Sequence, residues 1–245
     1  MEVAEYSDDV RIQSWDADFR RLMKASALLH YSEQVAADHA RIFGMDDKFF
    51  DEHNVAMLLG RQALKFYRVP TRAEVLTARS STERIKRGSI KRITSFYDNA
   101  GEKVAVVDSR WVIVDRTEGH ILREAPWEVQ GYWNDNIEEE VPQLVHKVKD
   151  LISAGERKVH YSLTDINGHL NNAYYVDIAC DALPIDELKK APVTFASVKY
   201  NRQVLFGESM EILYAQSGNG WYVVGRKEGK STFECYLELG QPQEV

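Results

Sequence analysis

The chain has 245 residues, 44% hydrophobic and 28% charged, with 14 Gly and 6 Pro, a composition that excludes collagenous, low-complexity and disordered classes. Lys plus Arg number 31 against 38 Asp plus Glu, for a net charge of -7; a general nucleic-acid binder, which needs clustered positive charge, is not expected. No apolar run approaches the ~20 residues of a membrane span, the run Met1 to Tyr6 lacks the layout of a signal peptide, and Cys180 and Cys235 stand far apart without a CxxC. A cytoplasmic protein with a real core, no disulfide scaffold and no metal site is expected.

In chain order, apolar residues at helical spacing from Leu28 to Phe43 predict a helix over 26–43, with Ser26 as cap and Gly44 as terminator. Strand-like runs follow at 55–69, 74–82, 92–97 and 103–115, the last two flanking a turn at Asp98-Asn99-Ala100-Gly101. A polar, acidic stretch, 126–143, with Glu138-Glu139-Glu140, reads as a linker over the surface. Beyond it the order recurs: a strand at 158–162, a helix over 171–183, then strands near 193–204, 209–216, 221–226 and 231–239. Ser26 corresponds to His169, Ala73-Glu74 to Gly207-Glu208, and Gly101 to Gly229, the second copy being tighter. This pattern predicts a diverged internal repeat of two α+β units, residues 1–125 and 144–245, each a long helix packed on an antiparallel sheet.

The chemistry is concentrated in Asp165-Ile166-Asn167-Gly168-His169-Leu170-Asn171-Asn172. Asp165, Asn167 and His169 alternate, so in an extended segment they share a side. Gly168 lets the backbone turn, and Asn171 or Asn172 can cap the following helix. A carboxylate, an amide, an imidazole and the N-H groups of a helix start are what hydrolysis of an activated carbonyl requires.

That string, followed by Tyr174, resembles the Asp-x-Asn-x-His-x-Asn-Asn signature of the acyl-acyl carrier protein (ACP) thioesterases, and weaker similarity extends over Glu33-Gln34-Val35-Ala36, Val69 to Glu74 and Trp111 to Asp115. The resemblance implies a tandem double hot-dog fold and hydrolysis of fatty acyl-ACP to free fatty acid and ACP, without a cofactor. Asp165, Asn167 and His169 take the catalytic positions, with backbone N-H groups of Gly168 and His169 as oxyanion donors. Gln203 falls where the family carries Glu, and Val204 where plant members carry Cys. A cysteine acyl-enzyme is thereby excluded at that site, and base duty rests on Asp165 or His169. The first repeat lacks the string, so one active site per chain is expected, with the apolar helix start Ala25-Ser26-Ala27-Leu28-Leu29 suited to house the acyl tail.

Alternatives are an acyl-CoA thioesterase, a hot-dog hydratase or dehydratase, and a non-catalytic acyl-binding protein. The partner implied is acyl-ACP, with a homodimer open. The cluster Arg84, Lys86, Arg87, Lys91 and Arg92, at an expected strand-to-strand connection, is the candidate face for an acidic carrier.

Overall fold

A computed structural model describes residues 4–241; Met1, Glu2 and Val3 of the N-terminal run and residues 242–245 lie outside it. The strands are β1 (Tyr6–Arg11), β2 (Val55–Phe66), β3 (Val75–Thr82), β4 (Ile90–Tyr97), β5 (Lys103–Asp115), β6 (Ile152–Lys158), β7 (Val193–Tyr200), β8 (Ser209–Ser217), β9 (Gly220–Lys227) and β10 (Lys230–Leu239). The helices are α1 (Ala25–Ile42), α2 (Asp47–Glu52), α3 (Tyr174–Asp181) and α4 (Ile185–Lys190).

All ten strands form one antiparallel sheet in the order β1-β3-β4-β5-β2-β7-β10-β9-β8-β6. The second half of that order repeats the first, reflected about the β2–β7 pair, where Arg61 faces Lys199 and Lys65 faces Phe195. Sheet pairing through this seam fuses the halves into one core. The apolar sides of α1 and α3 lie against one face, with Leu28, Leu29, Val35, Val176 and Ile178 buried among Leu64, Phe96, Val198 and Cys235.

The opposite face is covered by the stretch expected to be a linker together with the residues that follow it, up to Leu151. Ile137 and Val141 pack on Ile93, Val106 and Phe195, and Val145, Val148 and Leu151 pack on Leu213, Tyr222 and Val224. Two of its acids are paired: Glu139 holds Lys103 and the Ser95 hydroxyl, while Glu140 meets Arg110. Arg110 also binds the buried Asp108, whose carboxylate accepts the Val141 N-H. The segment is therefore a strap across the sheet.

Helix α1 lies within one residue of expectation, and Gly44 follows its end at φ +78°. Lys24, not Ser26, occupies the N-cap position, because Ser26 is already inside the helix and buried, bonded to Asp177. The second helix is short, Tyr174–Asp181, since residues 171–173 form a turn. The strand expected at 158–162 lies earlier, as β6, and Tyr161–Leu163 is a 3-10 turn.

Candidate functional site

Between Thr164 and Leu170, which bridge each other, the chain makes a closed turn. The Asp165 N-H donates to the His169 carbonyl at 2.9 Å, and the Gly168 N-H returns to the Asp165 carbonyl at 3.1 Å, with Gly168 at φ +74°, a region that favours glycine. Asp165 Oδ1 accepts the N-H groups of Asn167 (2.9 Å) and His169 (3.1 Å), and the Asn167 amide stands 3.5 Å from Oδ2. The segment is thus a compact Asx-type turn and not the extended run expected from alternation. Asp165, Asn167 and His169 nevertheless line one cleft.

The backbone donors expected at Gly168 and His169 are spent inside this turn, so neither is free for an oxyanion. The turn is pinned against residues 204–206 by the Leu170 N-H on the Val204 carbonyl and the Phe206 N-H on the Gly168 carbonyl. Val204 is fully buried, and exposed Gln203 lies on the cleft wall. The Asn171 carboxamide oxygen accepts the Ala173 N-H at 2.9 Å and faces His30 Nε2 of α1 at 3.2 Å, so the helix start of one repeat is tied to the helix of the other. Burial holds the His30 imidazole below its ordinary pKa.

The cleft encloses about 290 Å³ and takes its opposite wall from the first repeat: Met57, Leu59 and Gly60 of β2 and Trp111 of β5. Tyr200 reaches in from β7, its hydroxyl donating to the Asn172 carbonyl at 3.0 Å and lying 3.2 Å from Gln62 Oε1. Met57 and Trp111 also line a second cavity of about 160 Å³ running along α1. There Glu33, Ala36, Ala37 and Ala40, at positions i, i+3, i+4 and i+7, present one helix face whose three alanines leave space, and Phe50, Trp127 and Trp133 close the far wall. This apolar space lies along the later turns of α1, not at the helix start where the sequence placed it, because Ala25, Ala27, Leu28 and Leu29 are consumed by the core.

The basic cluster does not form an open face. Lys91 and Arg92 belong to β4 and are buried: Lys91 Nζ donates to the Ile137 carbonyl of the strap, and Arg92 points the other way, to His39 Nδ1 (3.0 Å), Ser80 (2.9 Å) and Tyr132 (2.5 Å). Burial and the neighbouring Arg92 guanidinium push the His39 pKa down to about 3. Arg84 pairs with Glu128 and Asp135, and Lys86 with Glu83, leaving Arg87 as the exposed cation of the group without an ion pair among the described residues.

A feature the sequence concealed is a second copy of the turn. Asp18 Oδ1 accepts the N-H groups of Arg20 (2.8 Å) and Leu22 (3.2 Å), Ala17 bridges Met23, and Arg21 adopts φ +63° where the other copy has Gly168. Leu22 bridges Thr71 as His169 bridges Leu205. The backbone device is shared, but Arg20, Arg21 and Leu22 stand in place of Asn167, Gly168 and His169, so the first repeat has the scaffold without the amide and the imidazole.

Two fused α+β units sharing one sheet, with the Asp165–His169 turn facing a cleft at their junction, define a double hot-dog protein. The N-terminal domain of the acyl-ACP thioesterases matches residues 4–127, and their C-terminal domain matches residues 147–243. The chain belongs to the acyl-ACP thioesterase family. Among solved structures it is similar to a putative oleoyl thioesterase from Lactobacillus plantarum (TM-score 0.87, 20% identity, 99% of this chain and 98% of that one). It is also similar to a 12:0-ACP thioesterase from Umbellularia californica (TM-score 0.85, 17% identity, 99% of each chain). A chloroplastic acyl-[acyl-carrier-protein] hydrolase of Cuphea viscosissima is 20% identical over 234 residues, 88% of this chain; the chain spans 57% of that relative's length.

Proposed function

We propose that this protein hydrolyses fatty acyl-ACP to free fatty acid and ACP by direct attack of water at the Asp165–His169 turn. The observation that carries the reading is the shared wall of Met57 and Trp111. A thioester in the cleft places its reacting carbonyl beside His169 while its tail enters an apolar cavity along α1, and an acyl thioester is a molecule with that division of polarity.

His169 is the base in this reading. Asp165 organises the turn through backbone N-H groups, and Asp18 does the same in a turn that carries no histidine, so that carboxylate role is architectural. His169 takes a proton from water as its oxygen bonds to the carbonyl carbon. The carbon–sulfur bond then breaks, and the imidazolium returns the proton to the departing thiolate. Asn167 and Gln203, both on the cleft, are placed to hold the water. Burial pushes the thiols of Cys180 and Cys235 above their ordinary range, which keeps both out of nucleophilic chemistry.

Free-thiol release from matched acyl-ACP and acyl-CoA substrates tests the proposal. Turnover of acyl-ACP with a higher kcat/KM than acyl-CoA is expected. A preference for acyl-CoA moves the assignment to that class, and release from neither refutes hydrolysis.

A further inference from the structure

The hydrolytic reading leaves the thioester oxygen without a donor, since the N-H groups of Gly168 and His169 are engaged within their own turn. Across the junction lies a group the mechanism has not used. Glu33 lines the α1 cavity, and its Oε1 is sealed from solvent with no hydrogen-bond partner. A buried carboxyl oxygen without a partner is unfavourable by the full desolvation of that atom, and such groups call for a reason.

Position supplies one. His30 of α1 touches Asn171 beside the catalytic turn, and Glu33 is the next residue on that helix face, three positions on, where the cavity begins. Its field reaches both Asp165 and Tyr200, members of the cleft wall. With the thiol half of the substrate in the cleft and the tail along Ala36, Ala37 and Ala40, the carbonyl lies where the two spaces meet. We propose that Glu33, from the first repeat, is the oxyanion donor of the site: its protonated carboxyl donates O-H to the thioester carbonyl oxygen as water attacks. This role rests on the hydrolase reading above.

Burial and the negative charge of Asp165 push the Glu33 pKa up to about 8, which keeps the acid neutral and donating at neutral pH. The other groups around it do not supply a counter-charge at its carboxyl: Tyr200 on β7 stays neutral because burial raises its pKa, His30 one turn back is depressed by burial, and Arg92 on β4 is engaged with His39, Ser80 and Tyr132. The proton is not transferred. As the water oxygen bonds to carbon, the carbonyl π pair moves to oxygen, where the O-H of Glu33 stabilises it until carbon–sulfur cleavage restores the double bond. A neutral carboxylic acid holding an oxyanion in an apolar site is established enzyme chemistry. It also fits the departure at position 203, because a second ionised carboxylate there would face the same oxyanion.

The test is the pH dependence of acyl-ACP hydrolysis by the parent, Glu33→Gln and Glu33→Leu, each checked for parent-like thermal unfolding. Glutamine keeps a donor that cannot ionise. The parent is expected to lose kcat/KM above about pH 8, and Glu33→Gln to remain within about threefold of it at pH 7 without that alkaline fall. Glu33→Leu is expected to lose about 10²-fold in kcat with KM little changed, the scale of removing one oxyanion donor. An alkaline fall that persists in Glu33→Gln, or a Glu33→Leu enzyme with near-parent kcat, overturns the role while leaving hydrolysis intact. If Glu33→Leu does not fold, the Glu33→Gln profile alone decides. A parent that hydrolyses no acyl thioester overturns the hydrolase reading and this role with it.

Discussion

Replacing Ala40 with leucine puts three extra carbons into the α1 cavity at the end remote from the catalytic turn. Seven residues separate Ala40 from Glu33, ~10 Å at 1.5 Å per residue, and both line the same cavity of about 160 Å³. Leucine is as good a helix former as an exchange from alanine allows, so the helix itself is not strained. The new side chain occupies the place of about three substrate methylenes, each worth ~0.8 kcal/mol of burial. Chains long enough to reach Ala40 therefore lose ~2.4 kcal/mol, a fall of ~60-fold in kcat/KM, and shorter chains lose nothing. Free-thiol release across a series of saturated acyl-ACPs measures this directly. A fall equal at all lengths, or none, would refute the placement of the tail along α1.

Asp165→Asn keeps the oxygen that accepts the two backbone N-H groups, so it is expected to retain at least ~10-fold more kcat than His169→Ala, which removes the base at a loss of ~10²-fold or more; the reverse order in steady-state rates would make Asp165 the base. Glu33 is neutral in the folded protein, with a pKa raised to about 8 from 4.5, so its contribution to stability is complete below about pH 4.5 and is lost as pH rises through about 8. Unfolding free energies from denaturant titrations between these limits should fall by an amount on the order of a few kcal/mol in the parent and less in Glu33→Gln; parallel pH slopes would contradict this. Replacing Arg84, Lys86 and Arg87 with Gln is expected to change KM for acyl-ACP by less than about twofold at low salt, because the first two charges are already neutralised by local acids; a large, salt-dependent rise in KM would restore this face as the carrier's docking site.

The repeat was legible because helix, strands and Gly-bearing turns recur in the same order, as at Gly101 and Gly229. The strands that escaped or shifted, β1 and β6, are the two edges of the sheet. Tyr6–Arg11 buries only Val10 and Ile152–Lys158 is almost wholly exposed, so neither needs apolar alternation, and polar edges protect a sheet from further pairing. The Asp165 to Asn172 string stood out because its residue types are rare together. Its twin at Asp18 did not, since the two copies share backbone hydrogen bonds and a positive φ but only one side chain, the aspartate. Glu33 stood in the sequence only as part of a weaker family similarity, and packing is what seals its Oε1. Lys91 and Arg92 misled for the opposite reason: β4 is buried on both faces, by α1 on one and the strap on the other, and each long cation finds its own buried acceptors.

The most direct measurement is a structure of the protein with a non-hydrolysable acyl-pantetheine, its thioester replaced by a ketone. The tail should lie against Ala36, Ala37 and Ala40, with the ketone oxygen within hydrogen-bond distance of the Glu33 carboxyl and the carbonyl carbon facing His169. A tail seated instead in the cavity beside Asp18, Asp177 and Cys180 would contradict the account.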